Sequence, residues 1–451
     1  MVELFRSPRR AIVWFVEASV LALLTVLTAG LMTGWTHALG QEQVLRAVVV
    51  AVVAQGSMYY HGLYGTRPMR HAALMAALVR ALLMAAGVIW IASRVLPEEP
   101  TASRALGAAL CAAAVVLPAW RLGWQKLEQS ESFRRPALIL GDGPLARACA
   151  ALIEGEPTGL RIAGVLAAGS TPIPGAPTLG GLSDVARVAR ERGVAHVIVA
   201  CEERRGVLPI EALLELELAG VEVEDGPSFF ERVSGQVFIP ALKPSDLLFD
   251  SAFQIGSATR CGKRALDVVA AGIGLVLSLP LLTLGALAIK LDSPGPVFYS
   301  QLRAGARGRP FLMRKLRSMR TDAEARGATW AAEDDPRVTR VGRFLRRTRI
   351  DEIPQLWNVL RGEMSLVGPR PERPIFAAEI ERQVPLFRQR LRVKPGVTGH
   401  AQVRCRYGAS IDDAREKLAY DLFYIKSLSL WFDLSILVDT VKVVLLRIGS
   451  R

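Results

Sequence analysis

Four apolar stretches alternate with short polar segments near the start of the chain, at residues 11–33, 44–60, 72–93 and 105–120. Each stretch is close to the ~20 residues that a helix needs to cross the hydrocarbon core of a bilayer. The pattern predicts a membrane α-helical bundle of four transmembrane helices in a domain over residues 1–130. Glu17 and Arg80 lie within predicted spans. We expect them to pair across two helices, because an unpaired charge in a bilayer is costly.

Residues 134–250 show a different pattern, in which short aliphatic runs alternate with segments of helical periodicity. This alternation is typical of a parallel sheet flanked by helices, so we predict a Rossmann-like α/β domain. The predicted strands lie at residues 137–140, 162–166, 196–200 and 220–223.

The first predicted strand of this domain runs into the turn Gly141-Asp-Gly-Pro-Leu-Ala146. Its spacing fits the G-x-G-x-x-A fingerprint of dinucleotide-binding turns. However, Pro144 removes a backbone donor from the turn, and the second aliphatic run ends without the acidic residue that would bind a ribose. We therefore interpret the segment as a tight strand-to-helix turn and expect the domain to bind no NAD(P).

A third domain, residues 260–451, opens with an apolar run from Ala265 to Ile289 that contains Pro280. Basic residues flank this run on both sides, so a straight span would place one basic flank on the outer face of the membrane, against the positive-inside rule. A helix over 265–290 that bends at Pro280 and returns to the same face removes this conflict. We predict an α-rich monotopic domain with a re-entrant membrane helix, and we expect the chemistry to lie in this domain.

Basic residues also determine the expected orientation of the bundle. Arg6 precedes the first span, Arg67 lies between the second and third, and Arg134 follows the fourth, whereas the loop at 34–43 has no basic residue. By the positive-inside rule, both ends of the bundle face the cytoplasm. We therefore expect the third domain to face the cytoplasm from the inner (cytoplasmic) membrane.

The positive charge of the chain is concentrated in the third domain. The net charge is +14, and residues 260–451 contain 34 Lys and Arg residues against 19 Asp and Glu residues. A basic surface of this kind can bind nucleic acid, anionic lipid headgroups or phosphorylated substrates. Only 7% of the residues are aromatic, which provides few stacking platforms for single-stranded nucleic acid. We predict the lipid bilayer and phosphorylated substrates as partners, and no nucleic acid.

Asp351 and Glu352 form an adjacent acidic pair within this basic domain. Neighbouring carboxylates repel each other unless a cation or a basic pocket offsets their charge, so the pair indicates a metal and phosphate centre. The alternative interpretation is an exposed helix start, because acidic residues stabilise first helical turns.

Six short motifs occur in order through the third domain. They are Lys263-Arg264 with Asp267 and Pro280, Ser293–Phe298, Lys315–Met319, Asp351–Gln355, Gly368–Pro371 and Lys394–Gly399. Through these motifs, residues 260–448 resemble the bacterial polyprenyl-phosphate phosphoglycosyl transferases of the monotopic superfamily. The whole chain resembles their large form, which adds four membrane helices and a Rossmann-like domain.

This resemblance implies transfer of a sugar 1-phosphate from a UDP-sugar to undecaprenyl phosphate, with release of UMP. The reaction would be the first membrane step of exopolysaccharide, capsule or O-antigen synthesis. The resemblance also implies Mg²⁺ as cofactor and a homodimer. It makes Asp351 the nucleophile that takes the phosphosugar, and it gives Glu352 a role in orientation, proton handling or metal binding. We therefore predict Asp351 and Glu352 as catalytic and metal-binding residues.

Four basic residues match positions of these transferases that bind phosphate oxygens: Lys315, Arg317, Arg346 and Arg370. Arg370 is the strongest candidate, because Pro369 and Pro371 restrict the backbone around it. For the other three residues, contact with anionic lipid headgroups is the alternative.

Two other classes of protein are alternatives to the transferase. A membrane-anchored sugar-nucleotide oxidoreductase or dehydratase would use the α/β domain, but the chain contains no Tyr-x-x-x-Lys pair and its dinucleotide fingerprint is incomplete. A non-catalytic assembly scaffold would have no need of an acidic pair bracketed by phosphate-binding arginines.

Overall fold

The structure, a computed structural model, divides the chain into two compact units, Met1–Ser234 and Gly235–Arg451. Arg6 and Arg67, two of the basic residues from which the orientation of the bundle is predicted, lie outside the described residues. The residues that the structure describes are 8–35, 39–61, 63–64, 71–95, 100–130, 133–156, 158–167, 169, 172–250, 253–323, 335–405 and 410–445.

The first unit begins with four long helices at the positions of the four apolar stretches: α1 (Pro8–Thr33), α2 (Gln41–Tyr60), α3 (His71–Val95) and α4 (Pro100–Gln129). Within the described residues, four helices are long and apolar enough to cross a membrane. Three of them are α1, α3 and α4, and the fourth is Ser257–Asp292 in the second unit. The α2 helix forms but does not meet this length and hydropathy requirement. The apolar helices indicate membrane association.

The charge within the bundle is paired differently from our prediction. Glu17 is fully buried and contacts Arg121, whose Nη2 lies 2.8 Å from Glu17 Oε2, while Tyr64 Oη donates to the same carboxylate at 2.7 Å. Arg80 is exposed, so the predicted Glu17–Arg80 pair is wrong. The reason is that α4 continues to Gln129, beyond the end of its apolar run, and so carries Arg121 within the bundle.

A parallel five-stranded sheet follows, as the alternating pattern predicts, with the strand order β3-β2-β1-β4-β5. Aliphatic side chains of β1, β2 and β4 form its buried core with the flanking helices, including Leu138, Leu166 and Val197. The elements in chain order are β1 (Arg135–Leu140), α5 (Pro144–Gly155), β2 (Leu160–Leu166), β3 (Thr178–Gly180), α6 (Val185–Glu191), β4 (His196–Val199), α7 (Ile210–Leu218), β5 (Glu222–Asp225) and α8 (Gly226–Ser234).

The β1–α5 turn requires glycine. Gly141 has a φ of +118°, and a Cβ there would lie 2.8 Å from the carbonyl oxygen of Ala200. At Gly143 the carboxylate of Glu202 comes within 2.7 Å of the position that a Cβ would take. An anionic side chain at the start of α5 occupies the place where a dinucleotide would present its pyrophosphate, and it disfavours an anion there.

The second unit is built around one long helix, α10 (Ser257–Asp292), which contains Pro280 and continues past it. Two small sheets accompany it, the antiparallel hairpin β6–β7 and the parallel pair β8–β9. The elements are α9 (Pro244–Phe249), α10, β6 (Phe298–Ala304), β7 (Pro310–Leu316), α11 (Arg340–Thr348), α12 (Gln355–Arg361), β8 (Ser365–Val367), α13 (Pro374–Gln383), β9 (Gly396–Thr398), α14 (His400–Arg404), α15 (Ile411–Lys426) and α16 (Leu430–Leu445).

Polar side chains near the start of α10 attach it to the rest of this unit. Lys263 Nζ donates to the carbonyl of Val367 at 2.9 Å and contacts Asp433 at 2.6 Å. Arg264 donates to the carbonyl oxygens of Val359 and Leu360, at 2.6 and 2.7 Å, and so satisfies carbonyl groups at the end of α12.

The other end of α10 packs against the hairpin and α11. Ile289 forms a buried cluster with Leu316 and Leu345. Asp292 Oδ2 accepts a hydrogen bond from the amide of Val341 at 3.2 Å, in the first turn of α11. Both ends of the helix therefore contact the same folded unit.

Candidate active site

The acidic pair lies in a tight turn, Ile350–Glu352, between helices α11 and α12. Arg349 ends α11 in the left-handed conformation, with a φ of 59°, and its carbonyl accepts the amide of Glu352 at 3.1 Å. A non-glycine residue is uncommon at this backbone conformation. Here Nη1 of Arg349 lies 3.8 Å from Oε1 of Glu352.

The hairpin strand β7 brings Lys315 to this turn, and one buried amide attaches the strand to α12. The Nδ2 group of Asn358 donates to the carbonyl of Leu312 at 2.8 Å, and its Oδ1 accepts the amide of Arg314 at 3.0 Å. Lys315 is the next residue of the same strand after Arg314, and its Nζ lies 2.8 Å from Oε1 of Glu352. The position of the lysine is therefore determined by backbone bonds as well as by its ion pair.

Glu352 is surrounded by cations. Besides Lys315 and Arg349, Nη2 of Arg370 lies 3.3 Å from Oε1 of Glu352. Burial alone would raise the pKa of the Glu352 carboxyl, but Lys315, Arg370 and Arg349 hold this pKa well below its usual range. Glu352 is therefore ionised at neutral pH.

Asp351 has a contrasting environment, although it is the adjacent residue. Its side chain is buried, with 5% exposure, and Oδ1 makes no hydrogen bond to any described residue. Burial raises the pKa of the Asp351 carboxyl to about 6, and the charge of Glu352 adds to the rise, while Lys315 opposes it. The pair thus combines one carboxylate fixed by cations with one weakly solvated carboxylate whose Oδ1 has no hydrogen-bond partner among the described residues.

The structure brings together most, but not all, of the residues singled out in the sequence. Lys315 and Arg370 contact Glu352, and the positive charge of Arg346 opposes part of the rise in the pKa of Asp351. Arg317 is directed elsewhere, because its guanidinium donates to the carbonyl oxygens of Ser293 and Pro294, both at 2.7 Å. Pro280 lies within α10. The contacts of Arg317 in this structure are those of a residue that holds a loop.

Sequence reasoning missed several residues around the site. Arg349 was not selected, although it directly precedes the acidic pair. Arg303 and Arg390 were also missed; they donate to the carbonyl oxygens of Pro371 and Arg370, respectively. Arginines are numerous in this domain, and nothing in their sequence spacing distinguishes buried ones from exposed ones.

A small cleft adjoins the loop that carries Arg370. Its walls are largely apolar and include Phe387, Val393 and the prolines on either side of Arg370, with Arg388 also present. Arg370 lines this cleft and also contacts Glu352, so the cleft and the acidic pair share this arginine.

Among the described residues, one group of three potential metal ligands occurs in the sheet of the first unit: His196, Glu222 and Glu224. Each carboxylate already pairs with an arginine, Arg135 with Glu222 at 3.1 Å and Arg232 with Glu224 at 2.6 Å. The histidine ring contacts both glutamates. We interpret this group as an ion-pair network, because the arginines neutralise the charge that would attract a cation.

The second unit is similar in sequence to known proteins. A family model described as bacterial sugar transferase matches residues 258–447. The UDP-N-acetylgalactosamine-undecaprenyl-phosphate N-acetylgalactosaminephosphotransferase of Aeromonas hydrophila is 46% identical over 189 residues, which cover 42% of this chain and only 45% of that protein.

Two further relatives are matched over most of their own length. The UDP-glucose:undecaprenyl-phosphate glucose-1-phosphate transferase of Caulobacter vibrioides is 48% identical over 181 residues, 40% of this chain and 68% of that protein. The exopolysaccharide production protein PSS of Rhizobium leguminosarum bv. phaseoli is 43% identical over 185 residues, 40% of this chain and 92% of that protein. The matched region contains the acidic pair and all the basic residues around it, and the chain belongs to the bacterial sugar transferase family.

Proposed function

We propose that this protein transfers a sugar 1-phosphate from a UDP-sugar to undecaprenyl phosphate, giving undecaprenyl-diphosphate-sugar and UMP. The observation that carries the proposal is the acidic pair, in which cations surround Glu352 while an oxygen of Asp351 is unbonded. The names of the relatives support it, since two of them are named for transferring a sugar phosphate to undecaprenyl phosphate. The reaction would be the first membrane step of exopolysaccharide, capsule or O-antigen synthesis.

In the first step, an Asp351 carboxylate oxygen attacks the phosphorus that bears the sugar. A bond forms between this oxygen and the phosphorus, and the bond from the phosphorus to the oxygen bridging the two phosphates breaks, so that UMP leaves with the electron pair. Lys315 and Arg370 stabilise the negative charge on the phosphate oxygens, as fixed cations do in phosphoryl transfer. The product is an acyl phosphate in which the phosphosugar is attached to Asp351.

In the second step, an oxygen of undecaprenyl phosphate attacks the same phosphorus. The new bond completes the diphosphate, and the bond between the phosphorus and Asp351 breaks, which restores the carboxylate. Because the lipid phosphate is itself an anionic nucleophile, this step needs no strong base. The depressed pKa of Glu352 makes that carboxylate a poor proton acceptor. This favours a role for Glu352 in orienting Lys315 and Arg370 or in binding a metal.

The residues present fit a magnesium ion as cofactor. Mg²⁺ is typically bound by one or two carboxylates, with water and substrate phosphates as its other ligands. Asp351 has an oxygen without a hydrogen-bond partner among the described residues. Together with Glu352 it would supply the protein's ligands. When bound, the ion would reduce the negative charge of the diphosphate.

We further propose that α10 enters the cytoplasmic leaflet of the inner membrane and returns, so that the active site faces the cytoplasm. The support is that residues near both ends of the helix, Lys263 and Asp292, are bonded to the same folded unit. A spanning helix would carry its two ends to opposite faces of a hydrocarbon core about 30 Å thick. Exposed apolar side chains lie between them and would meet lipid, among them Ile273, Val276, Leu277, Leu284 and Leu287.

Cysteine accessibility tests this topology. In a background whose five native cysteines are replaced by alanine, we expect cysteines introduced at Ser257 and Pro296 both to be labelled only from the cytoplasmic side. Gln41→Cys is the control, because Gln41 is the first residue of the second helix and is expected on the outer face. Labelling of Ser257→Cys and Pro296→Cys from opposite sides would show that α10 spans. Pro280→Leu removes the break in the helical hydrogen bonding and is expected to shift the protein toward spanning, with loss of activity.

Release of UMP tests the activity itself. The purified protein would be incubated with undecaprenyl phosphate, Mg²⁺ and a panel of UDP-sugars that includes UDP-glucose and UDP-N-acetylgalactosamine, the donors indicated by the relatives' names. We expect UMP and a lipid-linked diphosphate sugar from at least one donor. Absence of both products with every donor contradicts the proposal.

The pH dependence follows from Asp351. The carboxyl must be ionised to attack, and its pKa of about 6 lies above the ordinary value of 3.8, so activity is expected to fall as the pH decreases through about 6. Without acceptor each protein molecule releases UMP once, and we expect the second-order rate constant of this single turnover to decrease about tenfold per pH unit below that point. The acceptor is omitted because its phosphate titrates in this range, whereas the UDP-sugar remains fully ionised. A rate that stays constant down to pH 4.5 would be inconsistent with a buried Asp351 nucleophile.

A further inference from the structure

The backbone of the loop that carries Arg370 is bonded in an unusual way. Pro369 and Pro371 have no N–H group, so hydrogen bonds can fix this loop mainly through its carbonyl oxygens. Three consecutive carbonyls do accept such bonds. The carbonyls and their donors are Pro369 with the Gly396 amide at 3.0 Å, Arg370 with Nη2 of Arg390 at 3.0 Å, and Pro371 with Nη1 of Arg303 at 3.0 Å.

One of the two arginine donors is buried in this unit and the other is partly buried. Arg390 is 5% exposed, and its Nη2 also lies 2.7 Å from Oδ2 of Asp421, a residue on α15. Arg303 extends from β6 and has 17% side-chain exposure. Neither Nε group has a hydrogen-bond partner among the described residues.

Buried charges of this kind contribute little net stability, because desolvation offsets much of their attraction. The Nε group of each arginine remains unsatisfied, which adds to the free-energy cost. Their effect is instead geometric, since Arg390 and Arg303 hold the carbonyls of Arg370 and of the following residue. The guanidinium of Arg370 is left directed at Glu352.

We infer that Arg390, paired with Asp421, and Arg303 are positioning residues that hold Arg370 in the orientation needed to bind the diphosphate of the donor. The inference rests on the proposed function, because it assigns Arg370 to the substrate phosphates. Arg390 suits this role since a planar guanidinium can serve a carboxylate and a carbonyl together, which an ammonium group does less well.

The test measures binding of UDP with Mg²⁺ by titration calorimetry, alongside kcat and KM for UMP formation. The first variant combines Arg390→Gln with Asp421→Asn, so that no buried carboxylate is left without its partner. The second variant is Arg303→Gln. Arg382→Gln, on the exposed surface of α13, is the matched control. We expect UDP to bind about tenfold more weakly to each of the first two variants, the clamp variants, than to the wild type. We expect the control to bind UDP as the wild type does.

A positioning role is identified when the effects of two substitutions on UDP binding are not additive. If these residues act through Arg370, adding either change to Arg370→Gln should weaken UDP binding less than about twofold further, because the group they orient is already absent. A full tenfold loss in that background overturns the inference. So does wild-type UDP affinity in both clamp variants, or a wild-type protein that does not bind UDP.

The two proposals fail separately. One possible result is that the wild-type protein binds UDP and the clamp variants bind it more weakly, but the wild type releases no UMP with any UDP-sugar. This result would refute the transferase activity and leave the positioning role intact. Thermal unfolding of each variant identifies general loss of structure. If the Arg390 and Asp421 variant does not fold, Arg303→Gln alone decides, because Arg303 is more exposed and its carboxylate partner, Glu372, lies 4.0 Å away and is partly exposed.

Discussion

Replacing Asp351 with asparagine is expected to lower UMP formation by about six orders of magnitude, the scale seen when an enzyme loses its nucleophile. The change preserves side-chain volume but removes the oxygen that attacks phosphorus. Stability should not fall, because burial already disfavours the ionised form of Asp351, as its raised pKa of about 6 indicates. A neutral amide avoids that cost at neutral pH. The expected signature is thus an inactive protein that unfolds at the wild-type temperature or above it.

Mass spectrometry makes this test specific for the covalent step. When wild-type protein is mixed with a UDP-sugar in the absence of undecaprenyl phosphate and quenched, its mass should increase by that of the sugar phosphate. The Asp351→Asn variant should show no increase. Asp412→Asn, an exposed position on α15 with 89% side-chain exposure, is the matched control and should retain both activity and adduct. Near-normal UMP release by Asp351→Asn would remove Asp351 from the mechanism.

The sequence was most informative where chemistry is local. Asp351 and Glu352 are adjacent, and Arg370 lies between two prolines, so motif spacing alone identified a charged centre. The different environments of the two acids were not predictable. They depend on Lys315, which arrives from β7, and on the burial of Asp351, and both are products of tertiary packing.

Arg317 shows why residue type was insufficient. Lys315 and Arg317 are two residues apart, so in a continuing strand both would point to the same face. However, β7 ends at Leu316, and this alternation does not extend to the next residue. Arg317 instead holds the Ser293–Pro294 backbone, with its side chain buried. A strand end moved by one residue changes the direction of a side chain, and strand ends are poorly specified by local sequence.

The first unit shows the same limit. The apolar runs located all four long helices, but they did not show that α4 continues past its apolar segment to Gln129 and carries Arg121, the partner of Glu17. In the sheet, four strands were predicted from their aliphatic runs. The three-residue edge strand Thr178–Gly180 was missed because it contains too few apolar residues to form a pattern.

The second prediction concerns folding of the active-site loops and is made at Gly396. A Cβ at this position would lie 2.2 Å from the amide nitrogen of Gly368 and 2.2 Å from the carbonyl oxygen of Thr398. Both are backbone atoms in the paired strands β8 and β9 and their flanking loops, so no side chain can rotate away. The backbone at Gly396 does not have a positive φ, so the constraint is the space between two backbones.

Gly396→Ala should therefore separate the Gly368–Pro371 loop from the Lys394–Gly399 segment and destabilise the second unit by on the order of 4 kcal/mol, a value reserved for changes that disrupt packing outright. The detergent-purified full chain would be compared with wild type by thermal unfolding and limited proteolysis, with new cleavage expected within residues 235–451. Gly272→Ala is the control, since no atom lies within 4 Å of its Cβ position in α10 and alanine favours helix. If Gly396→Ala matched the wild type in unfolding temperature and in protease resistance, the close backbone contact between these two loops would not be a requirement of the fold.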